Sequence, residues 1–75
     1  MSPRPPPAGQ TLAVEVLGAG ASTAVVERVE EVRPMGLRGL AWRLHLRLAD
    51  GTPAEAMVFG DAPPAFLDPR HRLAG

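Results

Sequence analysis

The chain has 75 residues, 45% of them hydrophobic, and its eight acidic residues balance eight basic ones. That length allows one small core and not two, and no apolar run approaches the ~18 residues of a membrane helix. Cysteine is absent, which excludes disulfides, thiolate metal sites and cysteine nucleophiles together.

Every basic residue is an arginine, with neither a basic excess nor a basic run, so the electrostatic signature of a nucleic-acid binder is missing. A secreted domain this small commonly carries disulfides, so composition points to the cytoplasm. Only 22 residues (Leu, Val, Met, Phe and Trp) are large enough to fill a core. Burying them offsets the chain entropy by a narrow margin, which favours a partner or a second copy of the chain.

Residues 1–10 hold four prolines and one glycine. Proline lacks an amide donor and has a restricted φ, so this stretch reads as a disordered, polyproline-like leader with no signal-peptide core. A single β domain is expected over 11–67. Thr11 to Leu17 alternates, with Leu12, Val14 and Val16 on one face, as a half-buried strand does. Gly18-Ala19-Gly20 ends it. The Gly-x-Gly lacks the third glycine of a dinucleotide-binding loop, position 23 being Thr.

Ala21 to Arg33 admits two readings. Val25, Val29 and Val32 recur at helical spacing with Ser22 as an N-cap, giving an α+β alternative with a helix at 22–33. Four valines in eight residues favour a strand, with a bulge near Glu27-Arg28 keeping Val26 and Val29 on one face. The strand is preferred. Pro34 to Gly39 is a turn, with Met35 and Leu37 available to cover one end of the core.

Leu40 to Leu48 alternates without a break. Leu40, Trp42, Leu44, Leu46 and Leu48 share one face, and Ala41, Arg43, His45 and Arg47 the other. Asp50-Gly51 then signals a hairpin back along Ala54 to Phe59. A three-residue loop at 50–52 would set Arg47 opposite Glu55, Leu46 opposite Ala56 and Leu44 opposite Val58, pairing charges outside and apolar groups inside. Ala62 to Leu67, with Pro63-Pro64, reads as a helical turn or an irregular plug at the barrel mouth. Residues 68–75 read as a polar tail.

No chemistry-bearing constellation emerges. His45 and His71 lie too far apart in sequence for a zinc spacing, and both read as solvated. Glu30 and Glu31 are adjacent and would face opposite sides of a strand. The binding candidates are Arg43, His45 and Arg47, a strip for phosphate, nucleic acid or an acidic partner. The competing reading is a solvated sheet face balanced by Glu15, Glu27 and Glu55, and no cofactor or metal is expected.

Ala24-Val25-Val26 with Val29, then Gly36, then Leu44-x-Leu46-x-Leu48-x-Asp50-Gly51-Thr52-Pro53, resembles the short β-barrel proteins of unknown function found in high-GC actinobacteria. The resemblance covers residues 21 to 59. It implies a Pro-rich segment, a Gly and a closing strand after that span, where this chain instead reaches Leu73-Ala74-Gly75.

The expected architecture is all-β, a four-stranded antiparallel sheet coiled into a partial barrel of the oligonucleotide-binding or SH3-like kind. The expected function is non-enzymatic: a small interaction module, adaptor or accessory subunit, pairing with a protein or with itself through an open sheet edge. The alternative is a small nucleic-acid-binding barrel using Arg28, Arg38, Arg43 and Arg47.

Overall fold

The computed structural model describes residues 5–33, 41–60 and 62–74. Six antiparallel strands form one sheet: β1 (Thr11–Val16), β2 (Gly20–Val32), β3 (Ala41–Leu48), β4 (Pro53–Phe59), β5 (Ala65–Phe66) and β6 (His71–Leu73). Their order is β5-β4-β3-β2-β1-β6, so the chain meanders and its last strand returns to flank its first. Residues 22–32 are strand throughout and Arg33 follows it, so the helical alternative at 22–33 falls. The sheet is six-stranded rather than four-stranded because two short segments join it.

Both additions revise the reading of the C-terminal third. Ala65 and Phe66, expected in a helical turn or plug, pair with Met57 and Ala56 as β5. His71 to Leu73, expected in a polar tail, pair with Val16 to Val14 as β6. The edge expected to await a closing strand is therefore closed by β6. The two end strands then meet through side chains, the Phe66 and His71 rings lying edge to face with centroids 6.0 Å apart. This gives a nearly closed small barrel.

The sheet curls because large and small residues face each other inside it. Leu48 lies opposite Ala24 on β2, while Leu46 and Leu44 lie opposite Ala54 and Ala56 on β4. Each inner leucine thus meets a methyl group on one neighbour, which lets the sheet bend inward without leaving a void. Val14, Ala24, Leu44 and Ala56 are wholly excluded from solvent. Trp42 packs against this core half-buried, on the face its alternation assigns. Leu40, Met35, Leu37 and Arg38 lie outside the described residues.

A β-bulge falls between Val26 and Arg28, as the valine spacing requires. Val26 faces Leu46 and Val29 faces Leu44, so both point inward with an extra residue absorbed between them. The leader is also not free over its described part. The Gly9 N–H donates to the Val26 carbonyl (2.7 Å), and the Val26 N–H donates to the Gln10 carbonyl (2.9 Å). Pro5 to Pro7 then border a groove with Val58, Gly60 and Pro64.

The β3–β4 loop has three residues, but they are Ala49-Asp50-Gly51. The Gly51 N–H donates to the Leu48 carbonyl (2.9 Å), and the Leu48 N–H to the Thr52 carbonyl (2.8 Å). Gly51 takes φ +91°, the left-handed position that closes such a loop and that glycine adopts without a Cβ penalty. The register is consequently two residues from the expected one. His45 faces Glu55, Leu44 faces Ala56 and Trp42 faces Val58. A shift of two leaves every side chain on its expected face.

Candidate functional site

Arg43, His45 and Arg47 project from the outer face of β3, and the register sets an acid beside each of them. Glu30 on β2 is opposite Arg43, and Glu55 on β4 is opposite His45. The bulge carries Glu27 to Arg47, where Arg47 Nε donates to Oε2 at 3.1 Å and Arg47 Nη1 donates to the Gly51 carbonyl at 2.8 Å. Arg43 Nη1 lies 3.8 Å from Glu30 Oε1, and Arg28 Nη2 lies 3.7 Å from Glu30 Oε2. Arg28 also donates to His45 Nε2 at 3.2 Å. That bond places the ring proton on Nδ1, which faces Glu55 Oε1 at 3.8 Å.

The predicted strip is therefore one row of a charge lattice. Glu15, also expected to balance this face, instead pairs with Arg72 of β6, which donates through Nη2 at 2.6 Å. Each described arginine has a carboxylate within salt-bridge reach. An incoming phosphate would have to displace a glutamate rather than meet an unopposed guanidinium. Arg43 Nε is buried without a hydrogen-bond partner among the described residues, which leaves this side chain less fully satisfied there than Arg47.

A second site is built where the β1–β2 and β3–β4 loops meet β6. His71, read from sequence as solvated, is buried with 9% of its surface exposed. The alternation Arg70-His71-Arg72-Leu73 carries the signal that identifies it. Set against Val14-Glu15-Val16, it pairs Arg72 with Glu15 outside and turns His71 and Leu73 inward with Val16 and Val14. Ser22, Leu48, Asp50, Thr52 and His71 line a cleft of about 550 Å³ there.

The turns around that cleft are electrostatically set. The Thr52 N–H donates to Asp50 Oδ1 (2.9 Å), and with the Thr52 hydroxyl it holds the Asp50 carboxyl below its usual range. The Arg70 guanidinium and backbone N–H do the same for Asp68, more strongly, and the partnership raises Arg70 in return. Ser22, His71 and Asp50 share the cleft, but among the described residues the buried His71 Nδ1 has no hydrogen-bond partner. A nucleophilic relay needs that nitrogen bonded to the carboxylate, so the cleft is not assembled as a triad. Among the described residues, no cluster of three metal-ligating side chains occurs.

The third feature is a strand edge. β1 reaches only as far as Val25, which faces Thr11, and Gly9 and Gln10 occupy Val26. From Arg28 to Val32, β2 is paired on its β3 side, and over Glu27 to Val32 no described strand pairs with its other side. Residue alternation alone does not reveal this, because it depends on how far a neighbour extends. No helix among the described residues is long and apolar enough to cross a membrane. No protein-family model, no curated protein and no solved structure matches the chain.

Proposed function

We propose that this chain is a non-enzymatic interaction module, an adaptor or accessory subunit, that joins its partner through the free edge of β2. The observation that supports this reading is the length mismatch between strands. β2 runs 13 residues and β1 runs 6, so over Glu27–Val32 the backbone donors and acceptors that point away from β3 have no strand beside them among the described residues. Such an edge is a template for adding a strand, where main-chain hydrogen bonds supply affinity and alternate side chains supply selectivity. The lack of cysteine supports a cytoplasmic setting.

Site-specific photo-crosslinking in the producing cell tests it. A benzophenone side chain at Glu31 or Arg33, beside the edge, is expected to capture a protein adduct. The same group at Thr23, where β1 covers the strand, is expected to capture none. Absence of any adduct from both edge positions would overturn the proposal.

Nucleic-acid binding has less support, because Arg28, Arg43 and Arg47 all have carboxylate neighbours and Arg38 is outside the described residues. Anisotropy of labelled oligonucleotides at ~50 mM salt, where phosphate contacts are strongest, measures it directly. Binding there that weakens in R43A and R47A would restore that reading.

A further inference from the structure

We propose that the partner of the β2 edge is a second copy of this chain, paired antiparallel about a two-fold axis passing through Val29. This rests on the interaction-module reading above and adds the identity and register of the occupant.

The argument comes from which registers the edge sequence Glu27-Arg28-Val29-Glu30-Glu31-Val32 permits. In a continuous antiparallel sheet, facing residues share a side, and the residue on the axis faces its own copy. The β2–β3 pairing puts Arg28 and Glu30 outside, with His45 and Arg43, and puts Val29 inside with Leu44. Centring the axis on Glu30 or on Glu31 sets two identical carboxylates against each other, which is destabilising. Centring it on Val29 sets valine against valine and places each Arg28 opposite the second copy's Glu30.

Among registers centred from Arg28 to Glu31, only this one makes every central pair complementary, and centring on Val32 would carry half of the ladder past the end of β2. Both side chains are exposed, Arg28 66% and Glu30 42%, and the 3.7 Å pair they make within one chain would be exchanged for pairs across the axis. At the ends of the ladder Glu27 meets the second copy's Glu31. Each of these already lies beside an arginine of its own chain, Glu27 against Arg47 and Glu31 against Arg33. The bulge at Glu27 limits the ladder to a few residues, so the interface is small and the dimer weak and concentration-dependent.

Sedimentation velocity from micromolar to millimolar protein reads the association. The weight-average mass is expected to rise from that of the 7.9 kDa monomer towards twice that value. R28E and E30R each bring like charges together across both symmetric pairs and are expected to weaken dimerisation by about tenfold or more. The double variant R28E/E30R exchanges the charges and is expected to restore it. Should a single variant fail to fold, as judged by circular dichroism, isotope-filtered contacts between Val29 methyls of labelled and unlabelled wild-type chains give the register independently. A wild type that stays monomeric at every concentration overturns the dimer. If Glu31 still crosslinks to a different protein, the interaction-module reading survives that failure. Dimerisation unaffected by either single reversal overturns the register.

Discussion

Replacing His71 with leucine tests how the barrel seam is built. His71 lies opposite Val16 on the inner face, 9% exposed, with Nδ1 buried and without a partner among the described residues. A buried polar atom left unpaired costs about 1–3 kcal/mol. Leucine has a similar volume and no polar atom, so H71L recovers that cost. It forfeits the edge-to-face contact with Phe66, of the kind worth about 0.5–1.5 kcal/mol. The difference predicts a gain of about 1 kcal/mol, which for a domain this size raises the melting temperature by about 4–8 °C. H71A removes the orphan atom too but opens a hole beside Phe66 and Val16, and it is expected to lose about 2 kcal/mol. Thermal denaturation by circular dichroism at pH 8 measures all three proteins. A fall of 1 kcal/mol or more in H71L would show that Nδ1 has a stabilising partner, and the account of the seam as a packing contact would fail.

Gly51→Ala meets no atom that would clash with its Cβ, so its cost is the backbone alone, about 1–2 kcal/mol at a left-handed φ, read by urea denaturation. Gly51→Asn is expected to lose less, because asparagine tolerates that region. Leu44→Ala empties the fully buried centre of β3 and is expected to cost about 3–5 kcal/mol, enough to abolish the cooperative unfolding transition. Asp68 is held by Arg70 below the ordinary carboxyl value of 3.8, so its ionised form is favoured in the folded chain. That contribution is therefore present above the unfolded value and lost as pH falls through the folded one. Carboxyl carbon shifts should show Asp68 titrating on the acid side of a free aspartate, and R70A should return it to the usual range.

The parts legible in the sequence were those in which many side chains vote together. Trp42, Leu44, Leu46 and Leu48 alternate over a strand long enough that no helix accommodates them, and the Val26–Val29 spacing demanded the bulge that is found. The β3–β4 register was harder, because matching faces settles only whether the shift is even or odd. What decides between the two even registers is the turn, which needs Gly51 as its last residue at positive φ. β5 and β6 are two and three residues long, too short for their alternation to mark a strand until it is set against β4 and β1. Their presence follows from tertiary pairing, and Arg72 opposite Glu15 was the one local clue. The strip at Arg43, His45 and Arg47 was legible as a row, whereas its neutralisation depended on where β2 and β4 place Glu27, Glu30 and Glu55.

The bulge at Glu27 divides β2 between two roles. Before it, Ala24 and Val26 belong to the closed part of the barrel, where β1 and β6 complete the sheet and small inner residues permit tight curvature. After it, Arg28 to Val32 run beside β3 with no other described strand alongside, and the outer row becomes the arginine–glutamate lattice. A bulge bends its strand and increases local twist, and this one falls where the chain before β1 turns at Pro7–Gln10, the Gln10 N–H donating to the Pro7 carbonyl. A regular strand here would leave Val29 on the outer face. The extra residue thus keeps Val29 inward against Leu44, while the turn at Pro7–Gln10 ends the other ladder at Val26, so beyond it the β2 edge has no strand among the described residues. The edge begins at the residue where packing places the bulge.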